Sequence, residues 1–142
     1  MRYTREIEVP TAPEETFAYL ADFSTTSEWD PGIAEARRLT PEPTALGSRF
    51  ELISNFGGNG QRFEYVVTEF EDGKRVALEG QGAKAVTVDV ITVDAAATGS
   101  RIGYTADLRL KGVLRAAEPF LRSKLVRMCD DAMDGLASRL SR

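Results

Sequence analysis

The spacing of apolar residues changes period twice along this chain. Residues 3 to 9, Tyr-Thr-Arg-Glu-Ile-Glu-Val, read as a short strand that stops at Pro10. Beyond it Phe17, Leu20 and Ala21 fall on one helical face. Thr11 and Glu14 are spaced as a capping box, and Pro13 suits a first turn because its missing N–H would have had no helical partner. A second short helix fits Ser24 to Trp29, capped by Ser24 or Thr25 and ended by the breaker Asp30-Pro31-Gly32. From Ile33 the period becomes that of strands. Runs fit near Ile33–Leu39, Gly47–Asn55, Gln61–Phe70, Arg75–Glu79, Ala85–Val93 and Arg101–Leu110. Gly57-Gly58-Asn59-Gly60, Asp72-Gly73, Gly80-Gln81-Gly82 and Thr98-Gly99 supply the turns between them. Connections this short make neighbours antiparallel. After Gly112 the period is three to four: Leu114, Ala117, Leu121, Leu125, Met128, Ala132, Leu136 and Leu140 mark an amphipathic helix of about 30 residues. Pro119 either kinks it, or starts its main part after a separate turn.

The order is therefore a strand, two short helices, a meander of about six strands and one long helix. This is a single α+β domain over residues 1–142, with a curved antiparallel sheet of about seven strands. A sheet with one apolar face must cover it, and the C-terminal helix is the only large cover. Long strands twist and coil, so the sheet curls around the helix. A helix about 10 Å across does not fill a wide concave face. The inward residues read as Phe50, Leu52, Phe63, Tyr65, Val67, Leu78, Val86, Val88, Val90, Tyr104 and Leu108. Many are Val or Leu, which leaves volume for a cavity.

Composition narrows the chemistry. Of 142 residues, 42% are hydrophobic and 28% charged, a globular balance. Eighteen basic against 22 acidic residues give a net charge of −4, which disfavours nucleic acid as a partner. There is no histidine, so Ser-His-Asp and Cys-His nucleophile systems and His-ligated zinc are excluded. One cysteine, Cys129, permits no internal disulfide and no Cys-held metal cluster. No apolar run approaches the ~18–20 residues of a membrane span, and none at the start resembles a signal peptide. A soluble, cytoplasmic protein without stable membrane insertion, cofactor or metal, monomeric or homodimeric, is the expectation.

Several stretches carry a resemblance: Ile7-Glu8-Val9-Pro10, Pro13 through Phe23 (Pro-Glu-Glu-Thr-Phe-Ala-Tyr-Leu-Ala-Asp-Phe), Trp29-Asp30-Pro31-Gly32, and Leu46-Gly47-Ser48-Arg49-Phe50. With the last strand before a long terminal helix, they make the whole chain similar to the START-like, helix-grip (SRPBCC) superfamily and its polyketide cyclase/dehydrase-like branch. The resemblance implies a helix-grip fold with a deep, mostly apolar cavity between sheet and C-terminal helix, which takes lipids, polyketides or other small hydrophobic molecules. These motifs are cap, core and turn residues and include no universal catalytic signature.

The expected cavity lining is Trp29, Phe50, Leu52, Phe63, Tyr65, Val88, Tyr104, Leu121, Leu125 and Met128, with no catalytic residue assigned. Trp29 either stacks on a ligand or anchors the second helix. Asp30 is a cavity carboxylate or a turn starter beside Pro31. Tyr65 and Tyr104 offer hydroxyls to a ligand or to the protein. Ser54 and Asn55 point inward or end a strand. Cys129 reads as structural, and Asp130, Asp131 and Asp134 as a solvated face. Arg115, Arg122, Lys124 and Arg127 form a basic flank. Three functions remain: a carrier of a small hydrophobic molecule, a cyclase or dehydratase using non-His acid–base groups, and a docking module. A cavity without titratable groups favours carriage, a buried carboxylate facing a tyrosine favours catalysis, and a cavity plugged by Phe50, Phe63 and Phe120 favours docking.

Overall fold

A computed structural model describes residues 1–56 and 58–141. Its strands are β1 (Arg2–Val9), β2 (Ile33–Arg38), β3 (Arg49–Ser54), β4 (Gln61–Glu71), β5 (Arg75–Gly82), β6 (Ala85–Ala96) and β7 (Gly99–Leu110). Among the described residues they form one seven-stranded antiparallel sheet, ordered β1-β7-β6-β5-β4-β3-β2. The hairpin meander places β2 to β7 in succession, and β1 returns to the far edge against β7. Helices α1 (Pro13–Ala21) and α2 (Thr26–Trp29), with a 3₁₀ turn at Phe23–Thr25 between them, join the two edges. The C-terminal helix α3 is Glu118–Leu140, preceded by a 3₁₀ segment at Gly112–Ala117. This is the helix-grip architecture: a curled sheet closed on one face by a long helix. Breaks in register at Ile33/Glu35 and at Val67/Glu69 add the local bends that β-bulges produce.

Pro119 stands in the first turn of α3, where a proline needs no hydrogen bond, so the alternative with a separate preceding turn is the one adopted. The expected stripe is covered only from Leu125 onward: Leu125, Ala132, Met133, Leu136 and Leu140 are buried. Leu114 and Phe120 are exposed, because the 3₁₀ segment and the first turn of α3 extend beyond the sheet's cover.

Three local expectations are corrected. The capping box does not form: Ala12 is the N-cap of α1, with no side-chain cap bond. The hydroxyl of Thr11 instead pairs with that of Thr16 at 2.7 Å, and Ser100 from β7 bonds the Thr11 carbonyl at 2.7 Å. The second helical stretch begins under Asp22 rather than Ser24 or Thr25: the Asp22 carboxylate accepts from the Ser24 N–H at 3.0 Å and from its hydroxyl at 2.5 Å. Gly80-Gln81-Gly82 is not a turn but the end of β5. Of the hairpin tip at 57–60, Gly57 lies outside the described residues, and β3 and β4 pair in register from Arg49 opposite Val66 to Ser54 opposite Gln61.

The fourth correction concerns β6. Its inward face is Ala85, Thr87, Asp89, Ile91 and Val93, which are buried, whereas Val86, Val88 and Val90 turn outward. The cause is register. The β6–β7 hairpin closes at Ala96 opposite Gly99, and its ladder sets Ile91 opposite Tyr104, Asp89 opposite Ala106 and Thr87 opposite Leu108. Opposed residues share a face. The inward set of β7 therefore carries Thr87 and Asp89 inside, against the hydrophobicity of the valines between them.

Candidate functional site

A cavity of about 130 Å³ lies between the inner face of the sheet and α3. Of the expected lining, Trp29, Leu52, Phe63, Tyr65, Tyr104, Leu125 and Met128 border it. Phe50, Val88 and Leu121 do not. Phe50 is fully buried beside Phe23, ring centroids 6.2 Å apart, and packs under the Arg38 guanidinium at 4.9 Å. Val88 is on the outer face for the register reason given above. Leu121 lies in the first turns of α3, ahead of the buried stretch. The plug imagined from Phe50, Phe63 and Phe120 is absent, since Phe50 belongs to the core and Phe120 is 86% exposed.

Glycines set the shape of the floor. Gly80 pairs with Tyr65 and Gly82 with Phe63 across β4 and β5. A Cβ on Gly80 would come within 2.6 Å of the Tyr65 ring, and one on Gly82 within 2.7 Å of the Phe63 ring. Without those atoms both rings lie down over β5. A third glycine, Gly135 of α3, faces the Trp29 carbonyl oxygen so closely that a Cβ would collide with it. That contact presses the end of α2 against α3 and holds Trp29 and Asp30 at the cavity wall. The Trp29 and Tyr104 rings then meet edge to face, centroids 6.2 Å apart.

The polar groups at this wall are chiefly acids and phenols. Tyr104 Oη donates to Asp89 Oδ2 at 2.5 Å, and Thr87 Oγ1 donates to Asp89 Oδ1 at 2.9 Å. Asp30 Oδ1 accepts the Gly32 N–H at 2.8 Å. Asp30 thus takes both expected roles, turn starter and cavity carboxylate. Ser54 also does both, since it lines the cavity while its hydroxyl accepts the Phe56 N–H at 3.0 Å.

Burial governs the electrostatics. It raises the Asp89 carboxyl above the usual carboxylate range, against the opposing bonds from Tyr104 and Thr87. Burial also pushes Asp30 up to about 6, opposed by the Gly32 N–H and assisted by the negative charges of Asp89 and Asp131. Tyr65 and Tyr104 are held well above the ordinary phenol range, first by burial and then by Asp89. The Cys129 thiol is pushed up to about 12 by burial and by Asp89, Asp30 and Asp130, so it stays protonated and unreactive. Asp130 and Asp134 look outward to β1: Tyr3 donates to Asp130 at 2.6 Å and Arg5 to Asp134 at 2.9 Å. Among the described residues no Lys or Arg lines the cavity.

Asp89 and Thr87 were missed from sequence. Counting back from the two-residue hairpin at Ala97-Thr98 would have found them, because the pairing of β6 with β7 fixes their face. Valine hydrophobicity pointed the other way.

The family model for polyketide cyclase/dehydrase and lipid transport matches residues 1–141. The chain belongs to this family. A search of the curated proteins finds no match. Solved structures share the family's fold at low identity. A START superfamily protein from Mycobacterium smegmatis superposes with a TM-score of 0.74 at 15% identity, covering 99% of each chain. The Zhui aromatase/cyclase from a Streptomyces species gives 0.80 at 10% identity over 99% of this chain and 93% of that one. A Thermus thermophilus protein gives 0.77 at 16% identity, covering 99% and 95%. Like these neighbours, this polyketide cyclase/dehydrase family member is a curled sheet around a terminal helix. Among the described residues no helix is long and apolar enough to cross a membrane.

Proposed function

We propose that this protein takes up a small, mostly apolar organic molecule between its sheet and α3. The supporting observation is the cavity itself: aromatic and aliphatic walls from Leu52, Phe63, Trp29, Leu125 and Met128, interrupted by a few fixed polar groups. That is the make-up of small-molecule sites. Burial of the ligand's apolar surface, at about 25 cal/mol per Å², supplies the affinity, and the end of the cavity near Asp89 and Tyr104 orients one polar group. The family's association with lipids and polyketides supports the same reading. A long acyl or polyketide chain needs more room than 130 Å³, so it would enter only with a shift of α3. Native mass spectrometry of protein purified from its own host tests the proposal. A co-purifying small apolar adduct is expected. A bare mass, with no uptake from a panel of single-ring aromatics, fatty acids and polyketide fragments, overturns it.

The cavity is not free of titratable groups, and its buried carboxylate facing a tyrosine favours a second reading, a cyclase or dehydratase working by acid–base chemistry. The buried Asp89 faces Tyr104, and Asp30, with its carboxyl near 6, is suited to take or return a proton near neutral pH. The similarity to an aromatase/cyclase fold supports it. In this reading Asp30 removes a proton from carbon next to a substrate carbonyl. Deuterium exchange into cyclohexanone, catalysed by the wild type with a rate rising through pH 6 and lost in Asp30→Asn, is the expected result. Exchange at the buffer rate removes this reading and leaves the first intact.

A further inference from the structure

We propose that the cavity selects a molecule about one ring in size whose polar end donates hydrogen bonds, an amine before an alcohol, and that it rejects the carboxylate of the same skeleton. The inference rests on the reading of the cavity as a ligand site and specifies its ligand. Size is the first argument. Ordinary ligand pockets span roughly 300–1,000 Å³, and an engineered cavity of about 150 Å³ takes up benzene. At about 130 Å³ this cavity matches the second.

Charge is the second argument. Two carboxylates, Asp30 and Asp89, reach the wall, and among the described residues no Lys or Arg side chain does. Met1 is itself on the lining, and its amino group is engaged by the Leu108 carbonyl at 2.5 Å and by Glu118 at 2.8 Å. Both oxygens of Asp89 already accept one bond each, from Thr87 and Tyr104, and a carboxylate oxygen has capacity for another. An ammonium therefore meets acceptors and supplies the missing opposite charge. A third carboxylate would add like charge in a desolvated space, where such repulsion is largest. The indole Nε1–H of Trp29, on the same wall, is buried with no hydrogen-bond partner; as a donor it calls for an acceptor, so it adds nothing to the preference for an amine.

The groups facing the carboxylates do not undo this charge. Tyr65 comes from β4, Tyr104 from β7 and Cys129 from α3, and burial keeps all three protonated. Asp131 of α3 adds a further negative charge near Asp30. Amine affinity should therefore rise as pH increases through about 6, where Asp30 ionises.

NMR titration with toluene, benzyl alcohol, benzylamine and benzoate tests the inference on the full chain. Benzylamine is expected to bind at least about tenfold more tightly than toluene, as charge-assisted hydrogen bonding warrants, and benzoate more weakly than toluene. Asp89→Asn, or Asp30→Asn should the first variant not fold, should bring the ratio of benzylamine to toluene affinity most of the way to one. Toluene binding with no amine advantage, or with benzoate at least equal, overturns this inference alone. If none of the four probes binds, this inference falls, and the underlying reading is decided by the wider panel of fatty acids and polyketide fragments.

Discussion

The protein places acidic side chains in two opposite settings. On the outer face of β2, β3 and β4, Glu51 accepts from Arg37 at 2.9 Å and from Arg62 at 2.6 Å, while Glu64 pairs with Arg49. These guanidiniums hold both carboxyls below the usual range. Inside, Asp30 and Asp89 have no basic side chain beside them in the cavity wall, and burial holds them above that range. The outer acids stand in water, where ion pairs contribute little. The inner acids cost stability and are kept in place by Tyr104, Thr87 and the Gly32 N–H. Perturbed carboxyls cluster at functional sites, which supports the proposed ligand site at this wall.

The sharpest way to break this contrast is to disturb the interior through its backbone. Gly80→Val puts side-chain atoms where the Tyr65 ring and Thr87 methyl sit, the latter 2.9 Å from the new Cβ. Overpacking of this kind costs about 1–3 kcal/mol, and two displaced neighbours argue for the upper end. Ligand uptake should be lost as well. Gln81→Val, one residue on and facing outward, should change urea stability by less than about 0.5 kcal/mol. Equal effects from the two variants would show that the inner face is not special.

A pH titration comes next. The folded state raises the Asp30 carboxyl from 3.8 to about 6, so between those values the folded chain holds the proton more firmly than the unfolded one. Stability from this group is present below about pH 4, declines as pH rises to 6, and stays low above that. The full difference is at most about 3 kcal/mol, reduced because the largely buried side chain keeps some contact with water. Asp30→Asn keeps an acceptor for the Gly32 N–H and removes the slope. Urea midpoints should therefore rise for the variant at pH 7 and coincide with the wild type near pH 4. The outer acids act with the opposite sign: with lowered carboxyls, Glu51 and Glu64 support the fold above about 4.5 and cease to do so as pH falls. A wild-type midpoint that only falls from pH 7 to pH 5 would contradict the interior assignment.

Two tyrosines allow a matched comparison. Tyr104→Phe leaves Asp89 Oδ2 without its partner in a buried setting, at a cost of about 1–3 kcal/mol. Tyr19→Phe removes a bond to Glu28 of similar length, 2.8 Å, at the exposed surface. Its urea midpoint should change far less. Similar losses from both would mean that the Asp89 site is as well solvated as the surface.

How much of this was legible in the residues depends on what each signal measures. The alternation of β7 gave Tyr104 its face directly, because apolar and polar residues there agree with the pleat. Pro119 was legible as an interruption of the long helical pattern, but whether it kinked the helix or started it was settled only by its place in the first turn of α3. The β6 face was not, because its outward positions carry valines and its inward ones Thr87 and Asp89. Periodicity reads hydrophobicity, whereas register, which decided the matter, is a pairing with another strand. Gly80 and Gly82 misled for a related reason. Glycine signals a turn when only neighbours in sequence are considered, and here its function is to make room for rings on the adjacent strand. The Thr11 capping box failed because Ser100, distant in sequence, offered the Thr11–Thr16 pair a different partner.

The smallest effect is the one that most cleanly separates the two settings. Glu51→Gln removes the charge shared by Arg37 and Arg62 but keeps an acceptor of the same shape. All three residues stand on the solvent side of the sheet, where salt screens their attraction. The variant should keep the wild-type urea midpoint within error, and raising the salt concentration should shift both proteins alike. Benzylamine binding should also be unchanged, since the lost charge lies across the sheet from the cavity and water screens it. The interior counterpart, Asp89→Asn, removes the same single charge yet should alter binding strongly. If Glu51→Gln weakened the amine as much as Asp89→Asn, the preference would reflect the overall negative charge of −4. It would then owe nothing to the two carboxylates that the β6 register turns inward and Gly135 brings within reach.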